Sequence, residues 1–298
     1  MEVQAIDKKD LPALAEFIAS LNIDAKHYIG YSSIESQGIL HQFYHEFDEW
    51  PPERSFIIGL EDGKIIAALG CDCDLKESKG YLWGPFIINN IDNESAVTLA
   101  NNLWKRLLNI VPASLLYFNL FYHNQHWLAN RFADEHNFGV KETHHIFEAG
   151  KEKAARQKHS AVGTVSDEYD KVVSDLHDRI FPGTYYSGKV LVERAHDPLH
   201  NLWMIKDQDI VAGYLYAEVD GDESEGSIEF LAVDEAYQGR GFGRKLLEHA
   251  LDVLFDSSKI KRIRLTVQDN KMIPLGLYER AGFELKSVMD SRKMKMRR

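Results

Sequence analysis

The sequence predicts an α+β protein built as two tandem halves of similar order, and three observations carry that expectation. An order of hairpin, strand, helix, strand, helix and a Gly/Phe stop occurs twice, offset by about 145 residues, with Phe138 and Phe283 at comparable points. Asp62-Gly63 stands between two apolar runs, a pair suited to a tight hairpin turn. The chain has 298 residues, long for one core and comfortable for two domains of about 150 residues each.

In the first half, a strand at 3–6 precedes a helix that starts after Asp10, a natural N-cap, with Leu11, Leu14, Ala15 and Ile18 at helical spacing. A weaker helical pattern covers 32–47. Past Pro51-Pro52, runs 55–60 and 65–71 flank the turn 61–64. A strand at 81–88 leads to a helix over 93–110, whose buried stripe is Val97, Ala100, Leu103, Trp104 and Leu107. A strand at 114–121, a helix at 127–135, the stop Asn137-Phe138-Gly139 and a strand at 143–148 complete it. Residues 150–163 lose the apolar period and gather lysines, which reads as a linker between a first domain at 1–149 and a second at 164–298.

The second half opens with a helix over 166–180, a loop at 181–188 and a short helix at 190–195. A hairpin follows, 202–205 with 210–219, turned by 206–209. A strand at 228–233, a helix ending near 255, a strand at 263–267 and a helix at 273–280 come next, with Gly282 as the stop. A closing strand lies within 283–296.

Composition narrows the function. Hydrophobic residues make up 44% and charged residues 27%, the proportions of an ordinary soluble globular protein. No apolar run approaches the roughly 18 residues that span a bilayer, and the N-terminal residues MEVQAIDKKDL hold no cleavable apolar core, so no membrane partner and a cytoplasmic location are expected. A net charge of −11 disfavours a general nucleic-acid surface and suits a basic or neutral small molecule. Cys71 and Cys73, two apart on a strand, are poorly placed to bridge and too few for a closed metal site, so they read as small buried hydrophobes. His123 with His126, and His144-His145, lack a metal-like set of partners, and no metal is expected.

The chemistry signal sits in residues 227–255. An apolar strand runs into a turn opened by Gly239, Gly241 and Gly243, and the following helix carries Leu246, Leu247, Ala250, Leu251 and Leu254 on one face. Glycines let the loop fold with its amides inward, and the first turn of a helix adds N–H groups that lack an intrahelical partner. Such a place binds anions, the dipole adding about 0.3–1 kcal/mol at an exposed site. A dinucleotide fingerprint is the competing reading, but Arg244 stands three residues after Gly241, where a Gly or Ala is needed for close helix packing. A plain strand-to-helix turn with spare glycines is the other alternative.

Gln238-Gly239-Arg240-Gly241-Phe242-Gly243 fits the pattern Gln/Arg-x-x-Gly-x-Gly/Ala. With the strand before it and Leu246-Leu247 after it, the segment resembles the acyl-coenzyme A pyrophosphate loop of the GNAT superfamily of N-acetyltransferases. The resemblance implies two tandem GNAT-like domains, as in mycothiol-synthase-like proteins, each a central, mostly antiparallel twisted sheet flanked by helices. It also implies acetyl-CoA as co-substrate and transfer of its acetyl group, by direct attack, to a primary amine of a small molecule or peptide. A non-catalytic acyl-CoA sensor or scaffold using the same pocket is the alternative.

By the same resemblance, main chain around Leu231, Ala232 and Val233 contacts the thioester and the pantetheine arm, and the amides of 238–243 hold the pyrophosphate, with Arg240, Arg244 and Lys245 near enough to add charge. Asn270 would contact the cofactor arm. Tyr278, in Tyr-x-x-x-Gly-Phe, would protonate the departing thiolate. Glu229 interrupts the apolar strand just before the loop and is the candidate base. The loop 181–188, rich in aromatic and hydroxyl groups, would form an acceptor wall, and Asp220, Asp222, Glu223 and Glu225 could draw in a cationic amine. In the first half the loop position holds Asn89-Asn90-Ile91-Asp92-Asn93-Glu94, with no glycine and two carboxylates, which would repel a pyrophosphate. The first domain is therefore expected to be degenerate for coenzyme A.

Overall fold

The computed structural model of this chain describes residues 1–219, 224–256, 259–269 and 275–296. Two compact units result, Met1–His144 with Val288–Arg298, and His145–Ser287.

The first unit contains β1 (Glu2–Ala5), α1 (Leu11–Asn22), α2 (Ser36–His45), β2 (Phe56–Glu61), β3 (Lys64–Asp74), β4 (Lys79–Ile87), α3 (Asn93–Ile110), β5 (Tyr117–His123), α4 (Trp127–Glu135) and the start of β6 (Glu142–Gly150). Its strands run in the order β1-β2-β3-β4-β5, antiparallel except for the parallel pair β4 and β5. Asp62 and Gly63 turn the β2–β3 hairpin with φ of 49° and 75°, the left-handed pair that matches strand twist. Asp10 occupies the N-cap of α1 without a side-chain bond, and Pro12 presets the first turn instead. The buried stripe of α3 is Ala96, Leu99, Ala100, Leu103, Trp104 and Leu107, so Val97 is only half-buried.

The second unit contains β7 (Val162–Thr164), α5 (Asp170–Ile180), α6 (Gly188–Arg194), β8 (His200–Asp207), β9 (Ile210–Val219), β10 (Glu225–Val233), α7 (Phe242–Asp256), β11 (Arg262–Gln268), α8 (Leu275–Arg280) and the start of β12 (Glu284–Lys295). The order β7-β8-β9-β10-β11 repeats the first unit's plan, again antiparallel with one parallel pair, β10 and β11. Side chains alternate across this sheet. Leu215 and Ala217 pack with α7 on one face, while Tyr214 and Tyr216 pack with α5 and α6 on the other.

Each sheet is completed by a strand from the other half of the sequence. From residue 288 onward β12 belongs to the first unit, where Met289 to Lys295 pair antiparallel with His123 to Tyr117 of β5. From residue 145 onward β6 belongs to the second unit, beside β11. The boundaries therefore fall at 144/145 and 287/288 rather than around a linker at 150–163. That segment is part of the second unit: the Ala155 amide donates to the Ala281 carbonyl (2.9 Å), and Val162 opens β7. Its apolar period is missing because main-chain and polar bonds hold it. Cys71 and Cys73 are buried free thiols with their sulfurs 3.8 Å apart. Among the described residues no helix is long and apolar enough to cross a membrane.

Candidate active site

One extra residue shapes the site. In the β9–β10 ladder Ile228 faces Ala217 and Phe230 faces Tyr216, so Glu229 is inserted as a bulge. A regular strand would send Ile228, Phe230 and Ala232 to one face. Here Ile228 packs with α7, Phe230 and Ala232 pack with α5 and α6, and Leu231 and Val233 return to the α7 side. Beside the bulge the sheet parts: β10 pairs with β11 only from Glu225–Arg262 to Ile228–Leu265, although both strands run on, to Val233 and Gln268. Main chain of 229–233 thus borders a cleft between diverging parallel strands, where the resemblance puts Leu231, Ala232 and Val233.

The loop beyond β10 is built to leave amides free of side chains. Asp234 caps the 3-10 turn Glu235–Tyr237 through the Ala236 amide (3.0 Å), and the Gln238 side chain donates back to the Val233 carbonyl (3.2 Å). Gln238 is thus a tie within the loop. Gly239 and Gly241 have φ of +75° and +79°, and a Cβ at either would meet nothing within 4 Å, so backbone conformation rather than space demands glycine there. Gly243 lies inside the first turn of α7, whose leading N–H groups lack intrahelical partners. The neighbouring cations are tethered. Arg240 reaches Asp207 (2.8 Å) and lies over the rings of Tyr237 and Phe242 (5.5 and 5.1 Å), while Lys245 lies 5.7 Å from the Phe242 ring. Arg244 donates from Nε to Glu248 (2.6 Å).

Glu248 is almost fully buried, and its other oxygen pairs with His159 Nε2 (2.9 Å). Burial alone would raise this carboxyl, but Arg244 and His159 outweigh it and hold it below the usual carboxylate range. A group depressed in the fold stabilises it above the unfolded pKa, about 4.3, and that contribution fades as pH falls through the folded value. His159→Ala is accordingly expected to cost about 1–3 kcal/mol at pH 7, the range for a buried charged group that loses a partner. The deficit should shrink below pH 4. Urea unfolding at both pH values checks this, and equal deficits would assign His159 a packing role only.

Tyr278 sits on α8, 8% exposed, between the rings of Phe147 (5.9 Å) and Phe283 (6.2 Å). Desolvation pushes its hydroxyl up to about 12. Gly282, at φ +90°, ends the helix: the Phe283 amide donates to the Tyr278 carbonyl and the Gly282 amide to Glu279, both at 3.0 Å, a Schellman arrangement. Asn270 lies outside the described residues, as do Asp220, Asp222 and Glu223. Glu225 is not available to an amine, since it pairs with Arg262 and with Arg264 (2.9 Å) on β11.

Glu229 turns to the opposite face from Tyr278, toward α5 and α6, and accepts a hydrogen bond from the Tyr185 hydroxyl. The loop 181–187 is therefore brought to Glu229. A buried histidine holds it there: His177 Nδ1 meets the Tyr214 hydroxyl (2.6 Å) and Nε2 meets the Tyr186 carbonyl (2.9 Å). At its far end Gly188 lies so close to Ser174 that a Cβ would fall 2.3 Å from that residue's carbonyl oxygen. Sequence reasoning missed His177, Tyr214, Tyr216, Glu218 and Arg194. The signal was there in the spacing of Tyr214, Tyr216 and Glu218, every second residue of one strand.

The first unit shares the register shift, between Ala68 and Gly70 of the β3–β4 ladder, but differs at the helix start, in the strand opening and at the position of the tyrosine. Asp92 caps α3 by accepting from the Ser95 amide (3.0 Å), so a carboxylate already occupies the helix start. β4 pairs with β5 only from Lys79–Tyr117 to Tyr81–Asn119, but the chain itself fills the opening: Gly30 donates to Phe121 (2.8 Å) and His123 to Tyr28 (2.9 Å) along the edge of β5 that faces β4. The Schellman bonds of α4 run from Phe138 to Ala133 and from Asn137 to Asp134, which puts Ala133 where the second unit has Tyr278.

A cleft in a parted sheet, followed directly by a left-handed glycine loop at a helix start, is the arrangement of an acyltransferase domain of the N-acetyltransferase class in the second unit. The profile of the Acetyltransferase (GNAT) family matches residues 171–283, within the second unit. Over 137 residues the chain is 29% identical to the spermine/spermidine N(1)-acetyltransferase of Bacillus subtilis (strain 168), a stretch that covers 43% of this chain and 90% of that protein. Among solved structures, a GCN5-related N-acetyltransferase from Sphaerobacter thermophilus superposes with a TM-score of 0.67 at 14% identity, covering 100% of this chain and 96% of that one. A tandem GNAT protein from the clavulanic acid biosynthesis pathway does so at 0.54 and 11% identity, covering 99% and 98%. At such identities the two structures speak for the fold alone, two GNAT folds in succession.

Proposed function

We propose that the second unit transfers the acetyl group of acetyl-CoA to a primary amine of a small polycationic molecule by direct attack, and that the first unit takes no cofactor. The observation that carries this is the pairing of a left-handed glycine loop at a helix start with a cleft between β10 and β11. The amides of residues 239–243 and the Arg244 guanidinium suit a diphosphate, and the cleft suits the narrow arm of coenzyme A, so the residues present fit this co-substrate. When bound, acetyl-CoA supplies an activated acyl group.

The chain's own residues divide the remaining work between the two faces of the sheet. Glu229 and the Tyr185–Tyr186 wall give the α5–α6 face a negative, aromatic surface on which an amine can rest. Tyr278, on the α7–α8 face, is the proton donor for the departing sulfur. With its hydroxyl near 12 and a thiol near 8.5, full transfer is uphill by about 3.5 pKa units, or about 5 kcal/mol, so this hydroxyl works mainly by donating a hydrogen bond as charge develops. Support for a polyamine as the acceptor comes from the Bacillus subtilis relative, whose match spans most of that protein.

Tyr278→Phe is expected to lower kcat by about 100-fold or more while leaving acetyl-CoA affinity within about threefold, because only the hydrogen bond to the departing sulfur is lost. Thiol release with spermidine and calorimetry with acetyl-CoA measure the two quantities. Binding of the cofactor without thiol release from any amine would turn the reading toward a sensor. The phenol stays protonated below its value of about 12, so kcat should show no falling limb from this group between pH 7 and 10.

A further inference from the structure

We propose that Glu229 and Tyr185 form an ammonium-binding subsite, in which Glu229 is the fixed anion that draws a cationic acceptor and Tyr185 is the positioning residue that orients it. The inference rests on the acetyl-transfer reading of this domain and assigns the role of its acceptor side. It departs from the proton-removing role that the place of Glu229 in the strand suggested.

Geometry carries the assignment. Glu229 is the inserted residue of the bulge, so its place on the α5–α6 face is set by the ladder on either side, Ile228 on Ala217 and Phe230 on Tyr216. Tyr185 donates and Glu229 accepts. Burial first, and then the neighbouring Glu229, push the Tyr185 hydroxyl well above its ordinary range, which keeps it a donor. Around this charge stand ring faces and edges: Tyr186 at 4.6 Å and Phe230 at 5.3 Å from the Tyr185 ring, and Phe181 at 5.2 Å from Phe230. A carboxylate backed by aromatic faces is a receptor for a cation.

The same face already binds one cation in this way. The Arg194 guanidinium lies 4.6 Å over the Tyr186 ring and 3.4 Å from Glu218, and Tyr216 donates to that carboxylate (2.9 Å). Glu218 with Tyr216 and Tyr186 thus repeats the chemistry of Glu229 with Tyr185, but its cation is part of the chain. Among the described residues no basic side chain pairs with Glu229. An alkylammonium, with a pKa of about 10.4, does not surrender its proton readily to a carboxylate, but it is held by one. The amine is then freed of its proton by water before attack, and Glu229 raises its concentration at the cleft.

The test separates holding from proton removal, using spermidine and a weakly basic arylamine that is neutral at the assay pH. Glu229→Gln is expected to raise the KM for spermidine at least 10-fold with kcat within about threefold, and to raise the KM for the arylamine by less than about threefold. Tyr185→Phe, which keeps the ring, should raise the same KM about 3- to 10-fold. Calorimetry of spermidine with the acetyl-CoA-saturated protein should show heat for wild type and little for Glu229→Gln. A Glu229→Gln variant that loses kcat 100-fold for both amines at unchanged KM would overturn the proposal in favour of a base. Equal spermidine binding by wild type and variant would overturn it outright. If wild type binds spermidine through Glu229 but acetylates no amine, the subsite stands and the transferase reading fails.

Discussion

A fragment that starts at residue 164, where the linker reading puts the second domain, is expected to be unfolded, whereas residues 145–287 should melt cooperatively. The shorter cut removes the part of β6 that lies beside β11, together with β7's first two residues. Phe147, Ala149 and Val162 leave the core under α7, and Phe147 is one of the two rings that enclose Tyr278. Loss of one buried Phe side chain typically costs about 3–5 kcal/mol. Glu148 also goes, and with it the pairs to Arg264 (3.1 Å) and Lys286 (3.5 Å), as does the His159 partner of buried Glu248. Set against a net stability of about 5–15 kcal/mol for a domain, these losses are decisive. Far-UV circular dichroism and urea unfolding of the two fragments give the answer. A cooperative transition in 164–298 with a slope suited to its size would show that β6 is dispensable.

The exchange of closing strands is also where the sequence was least legible. Local patterns were informative because local physics makes them: the helix over 93–110 and the turn at Asp62-Gly63 follow from periodicity and from a left-handed dihedral preference. Which sheet a strand joins is a long-range matter that no window of sequence records, and β12 reads alike whether it closes one unit or the other. The segment 150–163 misled for a related reason, since it is held by main-chain bonds that leave no apolar period. At the site, the glycine loop was visible because two of its positions need φ near +75°. The bulge at Glu229 was not visible, because a register shift belongs to two strands at once. His177 was silent too: a lone histidine on a helix does not announce that it ties a tyrosine on β9 to the carbonyl of Tyr186.

Gly241→Asp is expected to abolish measurable acetyl-CoA binding, at least a 100-fold loss, while the protein keeps its fold. Two effects act together. The φ of +79° disfavours any side chain by about 1–2 kcal/mol, and the position precedes the first residue of α7, so the new carboxylate stands where the diphosphate is proposed to lie. The first unit shows what such an acid does: Asp92 caps α3 through the Ser95 amide, which holds its carboxyl below the usual range. Asp92 caps from extended backbone, at φ −64°, which residue 241 at φ +79° does not share, so the backbone cost stands and the thermal midpoint should fall by a few degrees. Gly241→Ala isolates the conformational part and should cost only about 10-fold in affinity. The first unit is expected not to compensate, because its helix start is capped, residues 28–30 line the edge of β5, and Ala133 replaces the tyrosine. Wild type should accordingly bind one acetyl-CoA per chain by calorimetry. Two sites in wild type, or one undiminished site in Gly241→Asp, would move the diphosphate away from this loop and with it the whole assignment of the α7 helix start.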